Sequence, residues 1–327
     1  MPKISVIIPT YNHKDFIGPA IESVLGQTYV DYEILVADDF STDGTRSIVE
    51  SYQRLYPKKV RALVGDKRIG IAGNVNRALA VAKGEYIAWL GGDDLMMPTK
   101  LSEQVTYLNE NESITGCHHD AEIFDQSLGT VVGLFSELYS RGMHRLPSGG
   151  VEILFDPVAF MLPSTMMFRR EAMPIHGFDE RLKYTNDWLF DIETFRNGRI
   201  NSIDMVLGVY RRHSNNVTSS SDLAKSALEE QFLVLGIVQA RYPELSRLAK
   251  RRRVSLLQAE GAIKFRGMDS QSARLYIKAA FVEGSYFKSA FLYLGLLVFG
   301  RWVFKRLDFK RYSDKKIIRR IRRVLRI

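Results

Sequence analysis

The stretch YIAWLGGDDLMMP, residues 86–98, joins an apolar run to two glycines and then to two adjacent aspartates. The apolar run is typical of a strand covered on both faces of a sheet. Asp93 and Asp94 then crowd two like charges at the end of that strand, and these charges repel each other. Ligands of open α/β sheets bind outside the carboxyl ends of the strands, so the stretch indicates a ligand site.

Short β-branched runs alternate with helical patterns over the first hundred residues, which predicts an α/β fold with parallel strands. The predicted strands are ISVIIPT at 4–10, EILVADD at 33–39, VRALVG at 60–65 and EYIAWL at 85–90. Three of the four strand ends are acidic, and no glycine-rich phosphate loop follows the first strand. Acidic strand ends are a poor site for a bare phosphate. A hard divalent cation, Mg²⁺ or Mn²⁺, would let a phosphate bind there, because it binds carboxylates and phosphate oxygens together.

The pattern changes in the second half of the chain. Residues 121–135 predict a hairpin around the turn at 127–129, and PSTMMFRREAM at 163–173 predicts a strand that enters a helix. A serine-rich stretch at 219–222 precedes sequence that reads as helical to the end. We therefore expect two domains, an α/β domain at 1–216 and a helical region at 217–327.

Three motifs, in this order and at these separations, resemble the donor-binding half of the family 2 glycosyltransferases. They are ISVIIPTYN at 4–12, VADDFSTDGT at 36–45 and AKGEYIAWLGGDD at 82–94. The resemblance covers residue 3 to about residue 215. It implies the GT-A fold, a Rossmann-like mixed sheet that binds a nucleotide-diphosphate sugar.

Carried over position by position, the resemblance implies a role for each strand-end residue. Tyr11 would pack against the nucleotide base, and Asp39 would hydrogen-bond to the base or ribose. Asp93 would contact the ribose or the metal, and Asp94 would ligate the cation at the diphosphate. From the residues alone, Asp39 could instead begin a turn or helix cap with the serine and threonine that follow it.

The segment YTNDWLFDIETFR at 184–196 combines acidic residues with an apolar helical face. Asp187 matches the catalytic base of the family, whereas Asn186 stands where the family usually has Glu. Asp191 lies one helical turn further on and is the rival base. Asn186 and Asp187 could also serve only as caps at the start of this helix.

YRRHSNN at 210–216 resembles the Tyr-Arg-x-His segment of many bacterial members of the family. The resemblance implies that Arg212 pairs with diphosphate oxygens and that His213 is a metal ligand or a diphosphate contact. His118 and His119 have no comparable context and are interpreted as surface or core residues. With one base and no nucleophile partner, the expected chemistry is a single displacement that inverts the anomeric carbon.

The net charge of +9 is concentrated at the end of the chain. Residues 301–327 hold 12 Lys+Arg and 2 Asp+Glu, so they carry +10, and the rest of the chain carries −1. SDKKIIRRIRRVLRI at 313–327 predicts a basic amphipathic helix, which favours an anionic membrane surface over nucleic acid. The apolar run at 289–300 is too short to span a bilayer. We therefore expect residues 286–327 to contact the membrane.

The chain has one cysteine and no visible export signal at its start, which favours the cytoplasm and the inner face of the cell membrane. Val298 replaces the glutamine of a Gln-x-x-Arg-Trp element before Arg301 and Trp302, which disfavours processive synthesis. We expect a glycosyltransferase whose acceptor is a lipid-linked saccharide of a surface polysaccharide. A nucleotidyltransferase and a non-catalytic nucleotide-sugar or membrane-binding module are the alternatives.

Overall fold

The computed structural model describes residues 1–139, 146–156, 161–214, 216, 221–266 and 270–283. Its contacts divide the chain into two compact units, Met1–Pro243 and Glu244–Ile327. The division expected at 216 falls inside the first unit, ahead of a long helix.

The strands of the first unit form one mixed sheet. They are β1 (Ile4–Thr10), β2 (Tyr32–Asp38), β3 (Val60–Val64), β4 (Tyr86–Trp89), β5 (Leu95–Met96), β6 (Gly116–Asp125), β7 (Thr130–Leu134), β8 (Met167–Arg169) and β9 (Ile200–Arg212). The strand order is β3-β2-β1-β4-β8-β6-β9-β5, and β7 pairs with β6. Strands β3, β2, β1 and β4 are parallel, whereas β8 joins them antiparallel.

The helices of the first unit lie between these strands and after them. They are α1 (Ile17–Leu25), α2 (Thr45–Leu55), α3 (Gly70–Leu79), α4 (Lys100–Glu110), α5 (Phe135–Tyr139), α6 (Asn186–Phe195) and α7 (Ser221–Arg241). The mixed sheet and its helices confirm the predicted α/β fold.

The four strands predicted from apolar runs are present as β1 to β4, within two residues of the expected ends. The predicted hairpin is also confirmed, because β6 and β7 pair antiparallel around its turn. The third helix ends at Leu79, and Gly84 lies in the connection between this helix and β4. A Cβ at Gly84 would overlap the backbone of Ser5 in β1.

Strand β4 has apolar packing on both faces, which places its carboxyl end firmly. Its residues Tyr86 and Ala88 belong to the core that β1, β2, α1 and α4 share. On the opposite face, the Trp89 ring contacts Phe190 of α6 with a centroid separation of 5.9 Å. Helix α6 is therefore seated directly against the strand that leads into the paired aspartates.

The described part of the second unit consists of α8 (Ser246–Arg266) and α9 (Ser270–Val282), which pack against each other. Among the described helices, none has both the length and the apolar character needed to cross a bilayer. The expected membrane-contacting segment 286–327 lies outside the described residues.

Candidate donor and cation site

The two glycine positions in the loop after β4 are crowded, so a larger residue at either one would displace neighbouring side chains. A Cβ on Gly91 would lie 2.8 Å from Asp93 Oδ1 and 3.1 Å from Asp94 Oδ2. A Cβ on Gly92 would lie 2.7 Å from Thr10 Oγ1. Carbon and oxygen do not approach so closely without displacement. The glycines therefore let the chain fold the two carboxylates back over the end of the strand.

Asp94 is almost fully buried, with a relative exposure of 3%. Its carboxylate accepts a hydrogen bond from the Ser164 hydroxyl at 2.5 Å and one from the Arg211 backbone N–H at 3.0 Å. Ser164 also accepts the N–H of Gly91 at 2.9 Å, so one hydroxyl ties the loop and the carboxylate together. Desolvation, followed by the negative charge of Asp93, raises the pKa of Asp94 to about 8.

Asp93 has polar partners on several sides. Its Oδ2 lies 3.0 Å from Nε2 of His213, 3.1 Å from Nδ2 of Asn216 and 4.0 Å from Nε2 of His13. Burial acts to raise the pKa of Asp93, but the His213 hydrogen bond and the two nearby imidazoles outweigh burial and lower that pKa. The pair is thus split into one readily ionised carboxylate and one that holds its proton more tightly.

Aromatic and cationic side chains wall this end of the sheet. The rings of Phe16 and His213 stack at a centroid separation of 4.4 Å. The Arg211 guanidinium lies 5.2 Å from the Phe16 centroid, and its Nε donates to the backbone carbonyl of Asp93. Burial lowers the pKa of His13, which favours the neutral imidazole. Sequence reasoning missed Phe16, His13 and Arg211.

The arginine that reaches the paired aspartates is Arg211 and not its neighbour. Arg212 is exposed, and its backbone pairs with Asp125 of β6. Successive side chains of a strand point to opposite faces, so the side chains of Arg211 and Arg212 diverge at the end of β9. The proposed diphosphate contact by Arg212 stays a prediction.

The donor set suits a hard cation shared with a phosphate. Within the described residues, no group of three or more His, Cys, Asp and Glu side chains has the arrangement of a self-sufficient metal centre. Mg²⁺ and Mn²⁺ sites that include substrate phosphates need only one or two protein carboxylates. Asp93 and Asp94 would supply these oxygens, and a bound cation would compensate the buried charge that Asp94 carries when it is ionised. His213 contacts Asp93, and its role as a ligand stays a prediction.

Tyr11 and Asp39 lie at the ends of β1 and β2, joined by a residue that sequence reasoning missed. The Arg68 guanidinium lies 4.1 Å from the centroid of the Tyr11 ring, and its Nε is 3.8 Å from Asp39 Oδ2. Asp39 also accepts the N–H groups of Ile69 at 2.8 Å and Gly70 at 3.0 Å. Asp39 therefore caps the start of α3. Together, Tyr11, Arg68 and Asp39 place an aromatic ring, a cation and a carboxylate next to one another.

The backbone at these two strand ends adopts an uncommon conformation. Asn12 and Phe40 have φ values of 55° and 63°, in the left-handed region that few residues other than glycine adopt. Asn12 fits this geometry because its N–H donates to Ser41 Oγ at 2.9 Å and its Oδ1 accepts the Thr42 N–H at 3.0 Å. These bonds lock together the loops after β1 and β2.

The expected base lies in the first turn of α6. Asp187 is partly exposed, and its Oδ1 accepts the N–H of Trp188 at 2.8 Å. Desolvation raises the pKa of Asp187, and it raises that of Asp191 still further, with a contribution from the charge of Asp187. Asn186 is buried, and its Nδ2 faces the carbonyls of Leu182 and Lys183. In this chain Asn186 thus stabilises the turn that leads into α6.

Two histidines expected to be surface or core residues are in the core. His118 and His119 lie on β6, each about 1% exposed. Burial lowers the pKa of His118 to about 4, and Nε2 of His118 lies 2.7 Å from the carbonyl of Pro147.

The mixed sheet, with paired aspartates beyond its fourth strand, defines a GT-A fold. TarS of S. aureus, solved in complex with UDP-GlcNAc, superposes with a TM-score of 0.63 at 21% identity, covering 86% of this chain and 81% of TarS. The mannosyltransferase PcManGT of Pyrobaculum calidifontis, in complex with GDP-Man and Mn²⁺, superposes with a TM-score of 0.57 at 18% identity, covering 93% and 82%.

Sequence similarity gives the family. The profile described as glycosyl transferase family 2 matches residues 5–174, and this chain belongs to that family. The putative glycosyltransferase EpsE of Bacillus subtilis is 35% identical over 147 residues, which cover 45% of this chain and 49% of EpsE. The putative teichuronic acid biosynthesis glycosyltransferase TuaG of the same organism is 36% identical over 118 residues, covering 35% and 46%. The chain thus spans about half the length of these two relatives.

Proposed function

We propose that this chain transfers a sugar from a nucleotide-diphosphate sugar to a hydroxyl group of a saccharide, with inversion and with a divalent cation. The observation that carries the proposal is the loop after β4, where Ser164 and Arg211 fix a buried Asp94 beside Asp93. Adjacent carboxylates are otherwise an unfavourable arrangement in a buried loop.

Each group of residues has a proposed part in donor binding. Tyr11, Arg68 and Asp39 would hold the nucleoside, because they offer a ring, a cation and a carboxylate at one edge of the sheet. Asp94, with Asp93, would hold Mg²⁺ or Mn²⁺, which when bound neutralises the charge of the leaving diphosphate. Arg212 and His213 are proposed as further diphosphate contacts.

Asp187 is proposed as the general base. It would accept the proton of the acceptor hydroxyl while the acceptor oxygen bonds to the anomeric carbon and the bond to the diphosphate oxygen breaks. One displacement inverts that carbon. The environment of Asp187 supports the role, since desolvation raises its pKa towards the range that suits a base.

The pathway and place of action are also proposed. The similarity to TuaG, a putative teichuronic acid biosynthesis glycosyltransferase, supports a role in surface polysaccharide synthesis. The TarS complex with UDP-GlcNAc supports a nucleotide-sugar donor. A lipid-linked acceptor would suit a chain held at the cytoplasmic face of the membrane by residues 286–327.

A thermal-shift experiment tests the donor site. UDP, GDP and dTDP sugars are added to the full chain with and without Mn²⁺, and the series is repeated on Asp94→Asn. We expect one nucleotide class to raise Tm only when Mn²⁺ is present, and this shift to be lost in Asp94→Asn. Asp204→Asn, which changes an exposed carboxylate on β9, serves as the control and should retain the shift. A donor that stabilises Asp94→Asn equally well without Mn²⁺ would contradict the proposal.

A further inference from the structure

Helix α7 lies alongside α6, the helix that carries the proposed base. At the end of α6, the Arg241 guanidinium contacts Glu193 Oε1 at 2.9 Å, and the Tyr242 hydroxyl donates to the same oxygen at 2.8 Å. At the start of α6, Glu230 of α7 contacts residues 183–185. The two helices therefore run in the same direction, and α7 contacts both ends of α6.

The Glu230 carboxylate accepts four hydrogen bonds from three consecutive residues. Its Oε1 accepts the N–H of Lys183 at 2.9 Å. Its Oε2 accepts the N–H of Tyr184 at 2.8 Å, the N–H of Thr185 at 3.1 Å and the Thr185 hydroxyl at 3.2 Å. Bonds from N–H groups to an ionised carboxylate are stronger than neutral ones, so a single side chain orders this whole turn.

The start of α6 needs such a partner. The first amides of a helix have no acceptor within it, and a capping side chain usually provides one. The N-cap residue Thr185 makes no side-chain cap bond within α6, and Asp187 directs Oδ1 to Trp188. Among the amides at the helix start, Glu230 accepts that of the N-cap residue Thr185. Its bonds to Lys183 and Tyr184 hold the two residues before the cap, and its carboxylate places negative charge near the positive end of the helix.

We propose that Glu230 is a positioning residue for Asp187. By holding residues 183–185, it fixes the first turn of α6 and so the direction in which the Asp187 carboxylate points. A base displaced by about 1 Å can cost two orders of magnitude in rate, so the effect on turnover should be large. This inference rests on the proposed function, because it assumes that Asp187 is the base. It gives α7, which lies beyond the profile match at 5–174, a role in positioning the base.

Hydrogen exchange tests the physical step without any substrate. In Glu230→Ala, we expect the amides of peptides covering 183–190 to exchange at least about tenfold faster than in the unmutated chain. Peptides covering β9 should be unchanged. Glu229→Ala, which changes the exposed neighbour on the same helix, is the matched control and should leave 183–190 protected. Unchanged exchange at 183–190 in Glu230→Ala would overturn the inference.

A double-mutant cycle tests the catalytic step. Turnover is measured as release of nucleoside diphosphate from whichever UDP, GDP or dTDP sugar the unmutated chain turns over fastest with Mn²⁺. We expect Glu230→Ala to lower kcat at least about tenfold with a donor KM within about twofold. In an Asp187→Asn background, Glu230→Ala should have no further effect, because it acts through the base.

Further variants distinguish a structural role for Glu230 from a wrong assignment of the base. Tyr242→Phe loosens the far end of α6 by one hydrogen bond and should leave kcat unchanged. If Tyr242→Phe lowers kcat as Glu230→Ala does, or if Glu230→Ala still lowers kcat in the Asp187→Asn background, Glu230 supports the fold and the inference is wrong. If Asp187→Asn alone retains full turnover, the base proposed above is wrong, whatever the exchange data show.

Discussion

At the scale of single residues, Asp93 and Asp94 share a loop but not an environment. Asp93 faces two imidazoles, which lower its pKa against the effect of burial, whereas Asp94 is buried and its pKa is raised to about 8. Two carboxylates in contact ionise in separate steps, and their surroundings decide the order. The repulsion suggested by the sequence is thus relieved partly within the protein, and the rest is what a cation would remove.

We expect Asp187→Asn to lower kcat by about 10²- to 10⁴-fold while leaving donor binding unchanged, because only proton transfer is lost. A general base works when it is deprotonated, so activity should fall as the pH drops through the pKa of Asp187. Desolvation raises that pKa above its usual value of 3.8, so the acid limb of the kcat/KM profile should lie at a higher pH than an ordinary aspartate would give.

The rival base provides the control for this prediction. Burial and the charge of Asp187 raise the pKa of Asp191 well above its usual value, which makes Asp191 the less readily ionised of the two, and Asp191→Asn keeps the shape of the side chain. We expect Asp191→Asn to retain most of the activity. If Asp191→Asn is the inactive variant and Asp187→Asn is not, the roles are reversed.

Lys100 is a second residue whose burial predicts a measurable effect. It is fully buried, and its Nζ has no hydrogen-bond partner among the described residues. Desolvation lowers its pKa to about 7, whereas the nearby Cys117 and His119 stay neutral. Between pH 7 and 10.5 the unfolded chain binds this proton and the folded chain does not, so the contribution of Lys100 to stability rises with pH over that range.

We expect Lys100→Met to raise the free energy of unfolding at pH 7 by at least about 1 kcal/mol, because it removes a buried charge and keeps the volume. The rise in stability between pH 7 and 10.5 should also shrink. Denaturant titrations at several pH values measure both effects, with the exposed Lys58→Met as the control. A less stable Lys100→Met would mean that the ammonium group has a stabilising partner.

Site residues could be predicted from the sequence where they form a distinctive local motif. They could not be predicted where their place in the site depends on strand register. The paired aspartates follow directly from the motif. The choice between Arg211 and Arg212 depends on pairing between β6 and β9, which shifts register near His119 and Asp120. Ser164 is 70 residues from Asp94 in the chain, and no local pattern marks it.

At the scale of elements, the parallel strands were readable because both faces are covered. Strands β1, β2 and β4 are buried along nearly their whole length, so each appears as a continuous apolar run. Strand β5 has only two residues and gives no periodic signal, whereas the three residues of β8 lie within the strand predicted at 163–173. Their places are set by pairing with distant strands, which a local pattern does not encode.

Substitution by alanine should have opposite effects on stability at two glycines, Gly236 within a helix and Gly84 beside a neighbouring strand. Gly236 lies inside α7, and nothing lies within 4 Å of a Cβ built there, so Gly236→Ala should stabilise the first unit by about 1 kcal/mol through helix propensity. Gly84→Ala should destabilise it, because the new methyl group would overlap the backbone of β1. Thermal unfolding of both variants measures the contrast, and a Gly236→Ala variant with a lower Tm would contradict it.

At the scale of the whole molecule, the two units differ sharply in charge. Residues 1–243 hold 24 Lys+Arg and 31 Asp+Glu, a net −7, whereas residues 244–327 hold 22 and 6, a net +16. Because the excess positive charge lies in residues 244–327, we expect only this unit to be attracted to an anionic surface. The sequence indicated the basic end but not the position of the division, because Glu230, Arg241 and Tyr242 tie α7 to the first unit through contacts distant in sequence.

Truncation after residue 243 should therefore separate two properties. We expect chain 1–243 to fold and to retain the Mn²⁺-dependent shift with a nucleotide sugar, but to lose binding to phosphatidylglycerol vesicles. Chain 1–216, which ends before α7, should have a lower Tm, because the partners of residues 183–185 and of Glu193 are removed. The full chain should bind these vesicles less as salt increases, since exposed charges are screened, and it should not bind neutral phosphatidylcholine vesicles. If 1–243 binds phosphatidylglycerol vesicles as tightly as the full chain, the basic unit is not the membrane contact. If 1–216 is as stable as 1–243, α7 does not belong to the catalytic unit.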